Sequence, residues 1–189
     1  NIKGGINFTS GLPDQWDDVA GHGTKMAGIV AAVHNDIGVV GVAPEASLYI
    51  VKVLTGGIET TASTVSTAIS GIYWAADNGM NVATMSFGSD LSPNIYCQFP
   101  NWYGGCYGYA DANASMRSEY ATALDYAYQH GVTLVGSAGN EGNKSNIVRW
   151  PAAYSNAVIT VSAIGPDNKV TSFSTNSSAV EIAAPGLGI

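Results

Sequence analysis

The sequence predicts an α/β fold, a doubly wound and mostly parallel sheet with helices on both faces. Apolar strand-like runs alternate with helical patterns along the chain, and strand–helix–strand repetition is typical of parallel sheets. Of the 189 residues, 46% are hydrophobic and 11% are charged, which excludes a disordered chain and a coiled coil. Glycines are spread along the chain beside the apolar runs, as short turns between elements require. We expect a single domain over residues 1–189.

Each element is predicted from its hydrophobic period, which is continuous in short buried strands and close to 3.6 residues in helices. The predicted strands cover residues 1–5, 47–54, 81–86, 132–137, 157–163 and 180–183. The predicted helices are a small-residue helix after His22 and helices at 61–78 and 115–129. In the last helix, one face carries Met116, Tyr120, Ala123, Leu124 and Ala127. Sites in such folds lie at the carboxyl ends of the strands.

Charge and hydropathy exclude two classes of partner. Seven basic and 14 acidic residues give a net charge of −7 with no Lys/Arg cluster, which argues against nucleic-acid binding. No apolar run is long enough to span a bilayer.

The two cysteines, Cys97 and Cys106, predict a local disulfide. Their spacing does not suit a metal site, and Pro100 and Gly104 allow the chain to turn back between them. A disulfide implies a secreted protein, whereas the alternative is a pair of free thiols in a reducing compartment.

Four short segments carry residues suited to catalysis. They are Gly21-His22-Gly23-Thr24, Gly41-Val42-Ala43-Pro44, Met85-Ser86-Phe87-Gly88 and Ser137-Ala138-Gly139-Asn140-Glu141-Gly142. Histidine is the side chain best suited to exchange a proton near neutral pH, although a single loop histidine more often only begins a core helix. In this order and spacing the four segments resemble the subtilisin-like serine proteases. The resemblance runs from residue 1 to residue 189, with residues 89–115 as its main addition.

The resemblance implies a catalytic role for two residues. His22 matches the triad histidine, which takes the proton of an attacking serine hydroxyl and returns it to the leaving amine. Asn140 matches the oxyanion-hole asparagine, whose amide donates to the carbonyl oxygen as it becomes negative. The alternative for Asn140 is a turn residue in a glycine-rich loop, and the segment matches no phosphate-binding fingerprint. Lys25 departs from the family, which commonly has a second histidine there.

The resemblance also implies how a peptide substrate binds. The residues implied to form a strand edge that pairs with the substrate backbone are Ser86, Phe87 and Gly88. Those implied to form the opposite wall of a pocket are Ser137, Ala138 and Gly139. The pocket would take the side chain of the residue before the scissile bond (P1), and its small residues leave room for a sizeable one. Glu141 near the rim would weakly favour a basic P1 residue. A second substrate-binding edge would lie at residues 56–60, where Ile58 and Thr60 depart from the family's glycines.

A structural Ca²⁺ is a further implication of the resemblance. Its ligands in this chain would be the side-chain oxygen of Asn35 and the backbone carbonyls of Val33, Ile37 and Val39. Calcium takes six to eight oxygen ligands, so this set is incomplete, and the family's remaining ligands lie before residue 1. The alternative is an ordinary helix-to-strand loop.

Two motifs of the family do not occur in the 189 residues. In the family's order, an Asp-Ser/Thr-Gly motif precedes the histidine and a Gly-Thr-Ser-Met-Ala motif follows Ala184-Pro185-Gly186. We therefore expect this chain to be the central part of a secreted serine endopeptidase and to be inactive alone. The alternatives are a non-catalytic relative that binds peptides and, with less support, a nucleotide-binding protein of doubly wound fold.

The expected partner is a protein or peptide substrate in extended conformation, bound by a monomer. The resemblance implies a prosegment as a second partner. Residues 89–115, rich in Tyr, Trp, Asn and Gly, follow the predicted strand edge directly, so they either border the substrate cleft or form a stabilising surface elaboration.

Overall fold

The computed structural model describes residues 1–55, 62–101, 103–142 and 146–188. It contains the predicted strands and helices in the predicted order, together with short strands that the sequence did not predict. The elements are β1 (Ile2–Asn7), α1 (His22–Ala31), β2 (Leu48–Lys52), β3 (Leu54–Thr55), β4 (Ala62–Ser63), α2 (Val65–Asp77), β5 (Val82–Met85), β6 (Ile95–Cys97), β7 (Tyr109–Asp111), α3 (Ala114–Gln129), β8 (Thr133–Ser137), β9 (Val158–Ile164) and β10 (Ile182–Pro185).

Contacts between residues group the chain into two compact units, Asn1–Gly71 and Ile72–Ile189. The prediction of one domain over the whole chain stays a prediction. Among the described helices, none has both the length and the apolar character needed to cross a membrane.

The unit Asn1–Gly71 is built on the parallel pair β1–β2, with α1 between the two strands in the sequence. A β-carbon on Gly5 would lie 2.6 Å from the Ile50 carbonyl oxygen and 2.7 Å from the Trp16 ring. Only glycine therefore lets Trp16 cover the strand this closely. The short strands β3 and β4 pair antiparallel.

The segment Gly41-Val42-Ala43 closes the carboxyl end of α1. The N–H groups of Val42 and Ala43 donate to the carbonyls of Ile29 and Val30 at 3.0 and 2.7 Å. These carbonyls have no partner within the helix, so the segment satisfies them. The second motif of the sequence thus has a structural role, which is to hold the helix that begins at His22.

The unit Ile72–Ile189 contains a four-stranded parallel sheet in the order β10-β9-β8-β5. Helix α3 contacts β8 and buries Tyr120, Ala123, Leu124 and Ala127, four of the five residues predicted for its inner face. Strands β5 and β8 are direct neighbours, with Met85 opposite Gly136. The segments that follow these two strands therefore emerge side by side at the carboxyl edge of the sheet.

Within residues 89–115, where the sequence predicted only a long loop, the described residues include a disulfide-bonded pair of strands, β6 and β7. Strands β6 and β7 pair antiparallel from Ile95–Asp111 to Cys97–Tyr109. The predicted disulfide between Cys97 and Cys106 is confirmed, with Cα atoms 5.8 Å apart.

The base of the hairpin is fastened to the start of α3. Arg117 forms an ion pair with Asp111 and donates from Nη1 to the Leu91 carbonyl at 2.8 Å. The guanidinium of Arg117, with backbone N–H groups of Asn94 and Asn113, lowers the pKa of Asp111 to about 2. The hairpin is thus held at its base by hydrogen bonds and along its length by the disulfide.

Replacing both cysteines by serine is expected to lower the free energy of unfolding by roughly 2–3 kcal/mol. The bridge closes a loop with a sequence separation of nine, and removing it returns that loop's conformational freedom to the unfolded chain. Denaturant unfolding of the oxidised protein and of the double variant measures the difference. Reduced wild type should match the variant, and equal stability of the oxidised protein and the variant would refute the prediction.

Candidate active site

His22 is the first residue of α1 and is half-buried. Gly21 before it adopts φ 82°, a left-handed conformation that strains other residues. A β-carbon on Gly21 would meet nothing within 4 Å, so the backbone angle, and not crowding, favours glycine here. The glycine turns the chain into the helix and presents the histidine at its amino end.

Asp18 organises this turn, although no motif in the sequence predicts a role for it. Its Oδ2 accepts hydrogen bonds from the N–H and the hydroxyl of Thr24, both at 2.7 Å. Its Oδ1 accepts from the N–H groups of Gly21 and Ala20 at 2.9 and 3.1 Å. The carboxylate therefore satisfies an N–H in the first turn of α1 and fixes the chain on both sides of His22.

The pKa of Asp18 reflects two opposing effects. Burial raises it, but the hydrogen bonds from Thr24, Gly21 and Ala20 together outweigh burial and bring the pKa from 3.8 to about 2. The carboxylate is thus ionised throughout the neutral range, where it accepts all four hydrogen bonds.

Asp18→Asn is expected to destabilise the protein at neutral pH by about 1 kcal/mol, the usual contribution of a helix-capping side chain. Because the folded-state pKa is depressed, the contribution of the carboxylate is present above pH 3.8 and is lost as the pH falls toward 2. The difference in free energy of unfolding between wild type and variant should therefore be constant above about pH 5 and shrink toward pH 2. Urea unfolding across this range measures it, and a difference independent of pH would contradict the assignment.

The turn after β8 carries Asn140. Gly139 and Gly142 have φ values of 104° and 57°, and a β-carbon on Gly142 would lie 2.3 Å from the Ser172 carbonyl oxygen. The Thr175 N–H donates to the Gly139 carbonyl at 2.9 Å, and the Gly142 N–H donates to the Phe173 carbonyl at 2.8 Å. These bonds tie the turn to the segment at 171–175.

The carboxamide of Asn140 is exposed at this turn. Among the described residues it makes no hydrogen bond within the chain, so its N–H groups are available to an external acceptor. The turn fixes the backbone on both sides of Asn140, and its carboxamide keeps N–H groups that can donate to an oxyanion.

A cavity of about 190 Å³ opens where the segments after β5 and β8 meet. It is lined by residues of both segments and by one residue from elsewhere: Ser86, Phe87, Gly88, Ser137, Gly139, Asn140, Glu141 and Arg149. Five of the six predicted substrate-binding residues thus lie around one cavity, and the predicted oxyanion donor joins them. Their roles stay predictions.

Ala138 is the predicted wall residue that does not line this cavity. It is 2% exposed, and its N–H donates to the Val161 carbonyl at 2.9 Å. The chain still alternates as it leaves β8, so the side chain of Ala138 turns inward while Ser137 and Gly139 face the cavity.

Arg149 is the cavity residue that sequence reasoning missed. Its Nε and Nη2 donate to Oε1 of Glu141 at 3.0 and 2.6 Å. The Glu141 carboxylate is therefore already paired, which removes the basis for the expected weak preference for a basic P1 residue. No motif marks Arg149 in the sequence.

The loop predicted to bind calcium is an exposed turn in which Asp36 and Gly38 have φ values of 61° and 68°. The side-chain oxygen of Asn35 accepts the Ile37 N–H at 3.3 Å. Neutral oxygens suit calcium, but the four predicted ligands are fewer than it requires, so this chain alone does not complete the site. No cluster of three or more His, Cys, Asp or Glu residues suited to a metal occurs in the described part of the chain.

Two predicted parts of the site are not among the described residues that line the cavity: one is the loop at 56–60 and the other is His22. The loop at 56–60, expected to form the second substrate-binding edge, lies outside the described residues. His22 belongs to the unit Asn1–Gly71, whereas the cavity belongs to the unit Ile72–Ile189.

Comparison with known proteins identifies the family. The profile of the Subtilase family matches residues 5–188, and the chain therefore belongs to this family. It is 37% identical over 189 residues to subtilisin Savinase of Lederbergia lenta and 35% identical over 191 residues to subtilisin E of Bacillus subtilis. Both matches cover 100% of this chain.

A solved structure confirms the predicted fold class. Sphericase superimposes with a TM-score of 0.71 at 25% identity, covering 98% of this chain and 60% of its own. This chain spans 59% of subtilisin Savinase and 43% of subtilisin E, about half the length of these relatives.

Proposed function

We propose that this chain forms the central part of the catalytic domain of a serine endopeptidase, which hydrolyses peptide bonds in proteins through an acyl-enzyme. The observation that supports this most is the cavity at the ends of β5 and β8. It joins the predicted substrate edge, the pocket wall and the unengaged amide of Asn140. Membership of the subtilase family supports the same class of reaction.

In the proposed reaction, His22 takes the proton of a serine hydroxyl as that oxygen bonds to the substrate carbonyl carbon. The carbonyl oxygen becomes an oxyanion, to which the Asn140 amide donates a hydrogen bond. The carbon–nitrogen bond then breaks, and the proton passes from His22 to the leaving amine. Water then attacks the acyl carbon while His22 takes its proton, the bond from that carbon to the serine oxygen breaks, and the proton passes from His22 to the serine oxygen. The serine and the aspartate that orients His22 are proposed to lie outside the 189 residues.

Substrate is proposed to bind as an extended strand along Ser86, Phe87 and Gly88. These residues follow β5, the strand at one end of the four-stranded sheet. Backbone hydrogen bonds would provide affinity that is independent of sequence, and the cavity would receive one side chain.

Two further features belong to the same proposal. A disulfide supports secretion, since such bonds persist in oxidising compartments.

Ca²⁺ would bind Asn35 and the neighbouring carbonyls, with its remaining ligands from outside the chain. Chelation by EGTA is expected to lower the thermal unfolding temperature of the longer protein, and an unchanged temperature would argue for an ordinary loop.

Cleavage of internally quenched peptides tests the proposed function. The longer protein is expected to cut them within the chain, and the 189 residues alone are expected to cut none because the nucleophile motif is absent. Binding of the peptides by the longer protein without cleavage would instead support the non-catalytic alternative.

A further inference from the structure

Two side chains of opposite charge, Glu141 and Arg149, line the cavity. Their side chains are 35% and 39% exposed, so neither is removed from solvent and both face the space a ligand would enter. Two nitrogens of Arg149 donate to the same carboxylate oxygen, Oε1. The second carboxylate oxygen and the remaining guanidinium hydrogens keep hydrogen-bonding capacity.

The ion pair is held from both sides. A β-carbon on Gly88 would lie 2.8 Å from Cβ of Arg149, so the arginine stem packs directly against the Gly88 backbone. The next residue, Trp150, exchanges two backbone hydrogen bonds with Ser89 at 2.8 and 3.0 Å. On the other side, the Glu141 N–H donates to the buried Thr175 hydroxyl at 3.2 Å.

A third charged group lies near the pair but is engaged elsewhere. The hydroxyl and N–H of Ser92 donate to Asp90 and hold the pKa of its carboxyl below the ordinary value, with a smaller contribution from Arg149. Asp90 is thus occupied by Ser92, which leaves Glu141 as the carboxylate bonded to Arg149.

We propose that the Glu141–Arg149 ion pair sets the P1 specificity of the pocket and selects an uncharged side chain, of the kind of methionine or glutamine. This inference rests on the proposed function and names the substrate class of the same pocket.

The physical reason is mutual compensation of charge. Because Arg149 Nη2 lies 2.6 Å from Oε1 of Glu141, a cationic P1 side chain that approaches Glu141 also approaches Arg149, and an anionic one that approaches Arg149 also approaches Glu141. Either would lose hydration on entering without gaining an unpaired partner. An uncharged side chain avoids this cost, and a polar one can use the spare hydrogen-bonding groups. Selection therefore works by disfavouring both charged classes.

Removal of one partner should leave the charge of the other uncompensated. The pocket should then favour a P1 side chain whose charge is opposite to the one that remains. Four quenched peptides that differ only in P1 (Met, Gln, Lys or Glu) are cleaved with the longer protein and its variants, and kcat/KM is compared. Arg149→Met is expected to raise the Lys-to-Met ratio about tenfold, as one uncompensated charge at short range would. Glu141→Gln is expected to raise the Glu-to-Gln ratio about tenfold for the same reason.

Two controls separate the ion pair from unrelated effects. The double variant Glu141→Gln/Arg149→Met has no charge in the pocket and should return both ratios to within about threefold of wild type, a coupling that independent sites would not show. Lys169→Met removes one cation at an exposed loop position and should leave the P1 profile unchanged. The near-isosteric Glu141→Gln decides the question even if Arg149→Met does not fold.

Active variants with the P1 profile of wild type would overturn this inference and leave the proposed function intact. A wild type that already prefers Lys or Glu tenfold would also overturn it. A wild type that cleaves none of the four peptides, nor any other quenched peptide, would overturn the proposed function and this inference with it.

Discussion

His22→Ala in the longer protein is expected to lower kcat by about 10⁶, a magnitude measured for the triad histidine of subtilisin itself. Without the imidazole, no group takes the proton of the attacking hydroxyl or returns it to the leaving amine. KM should change much less, because the side chain is proposed to act on the reacting atoms and not on substrate affinity. Initial rates on a quenched peptide measure the effect.

His130→Ala is the matched control for this variant. His130 lies at the end of α3, where its ring contacts Tyr126 with centroids 4.0 Å apart. The same change of residue there should leave kcat intact. Retained activity in His22→Ala, or an equal loss in His130→Ala, would contradict the assignment of His22 as the base.

Asn140→Leu is expected to lower kcat by about 10²–10³, the range measured for loss of the oxyanion-hole asparagine in subtilisin. Leucine has nearly the same shape but cannot donate a hydrogen bond to the developing negative oxygen. Since that charge exists only in the transition state, KM should remain close to the wild-type value. Steady-state kinetics separate the two constants.

Asn156→Leu provides the control for Asn140→Leu, because Asn156 is exposed in a turn away from the lining of the cavity. It should leave both constants unchanged. A rise in KM with constant kcat in Asn140→Leu would show that Asn140 binds substrate in the ground state and does not stabilise the oxyanion.

The elements that could be predicted are those whose signal is local. Helix α3 repeats its apolar residues with helical period, and Tyr120, Ala123, Leu124 and Ala127 are buried as that period requires. Strand β8 is a short apolar run that ends before Gly139 and Gly142, and both glycines have positive φ. Local period and turn chemistry therefore predicted the strands and the turn, whereas the site residues that follow β5 and β8 were implied by the family resemblance.

The features that escaped prediction depend on contacts between distant or unpatterned residues. Asp18 is one of three aspartates in the exposed loop before His22. Only the folded structure shows that its carboxylate accepts a hydrogen bond from the Thr24 N–H. Arg149 donates to Glu141, which lies eight positions earlier in the sequence, and no motif marks the two residues as a pair. The hairpin β6–β7 has a register that the composition of residues 89–115 does not reveal.

We propose above all that His22 and Asn140 serve a nucleophilic serine that lies outside these 189 residues. Labelling of the longer protein with a fluorophosphonate, followed by peptide mapping, tests it directly, because the probe bonds only to an activated serine. We expect one modified serine beyond residue 189 and loss of labelling in His22→Ala. Modification of a serine within residues 1–189, or labelling that persists without His22, would contradict it.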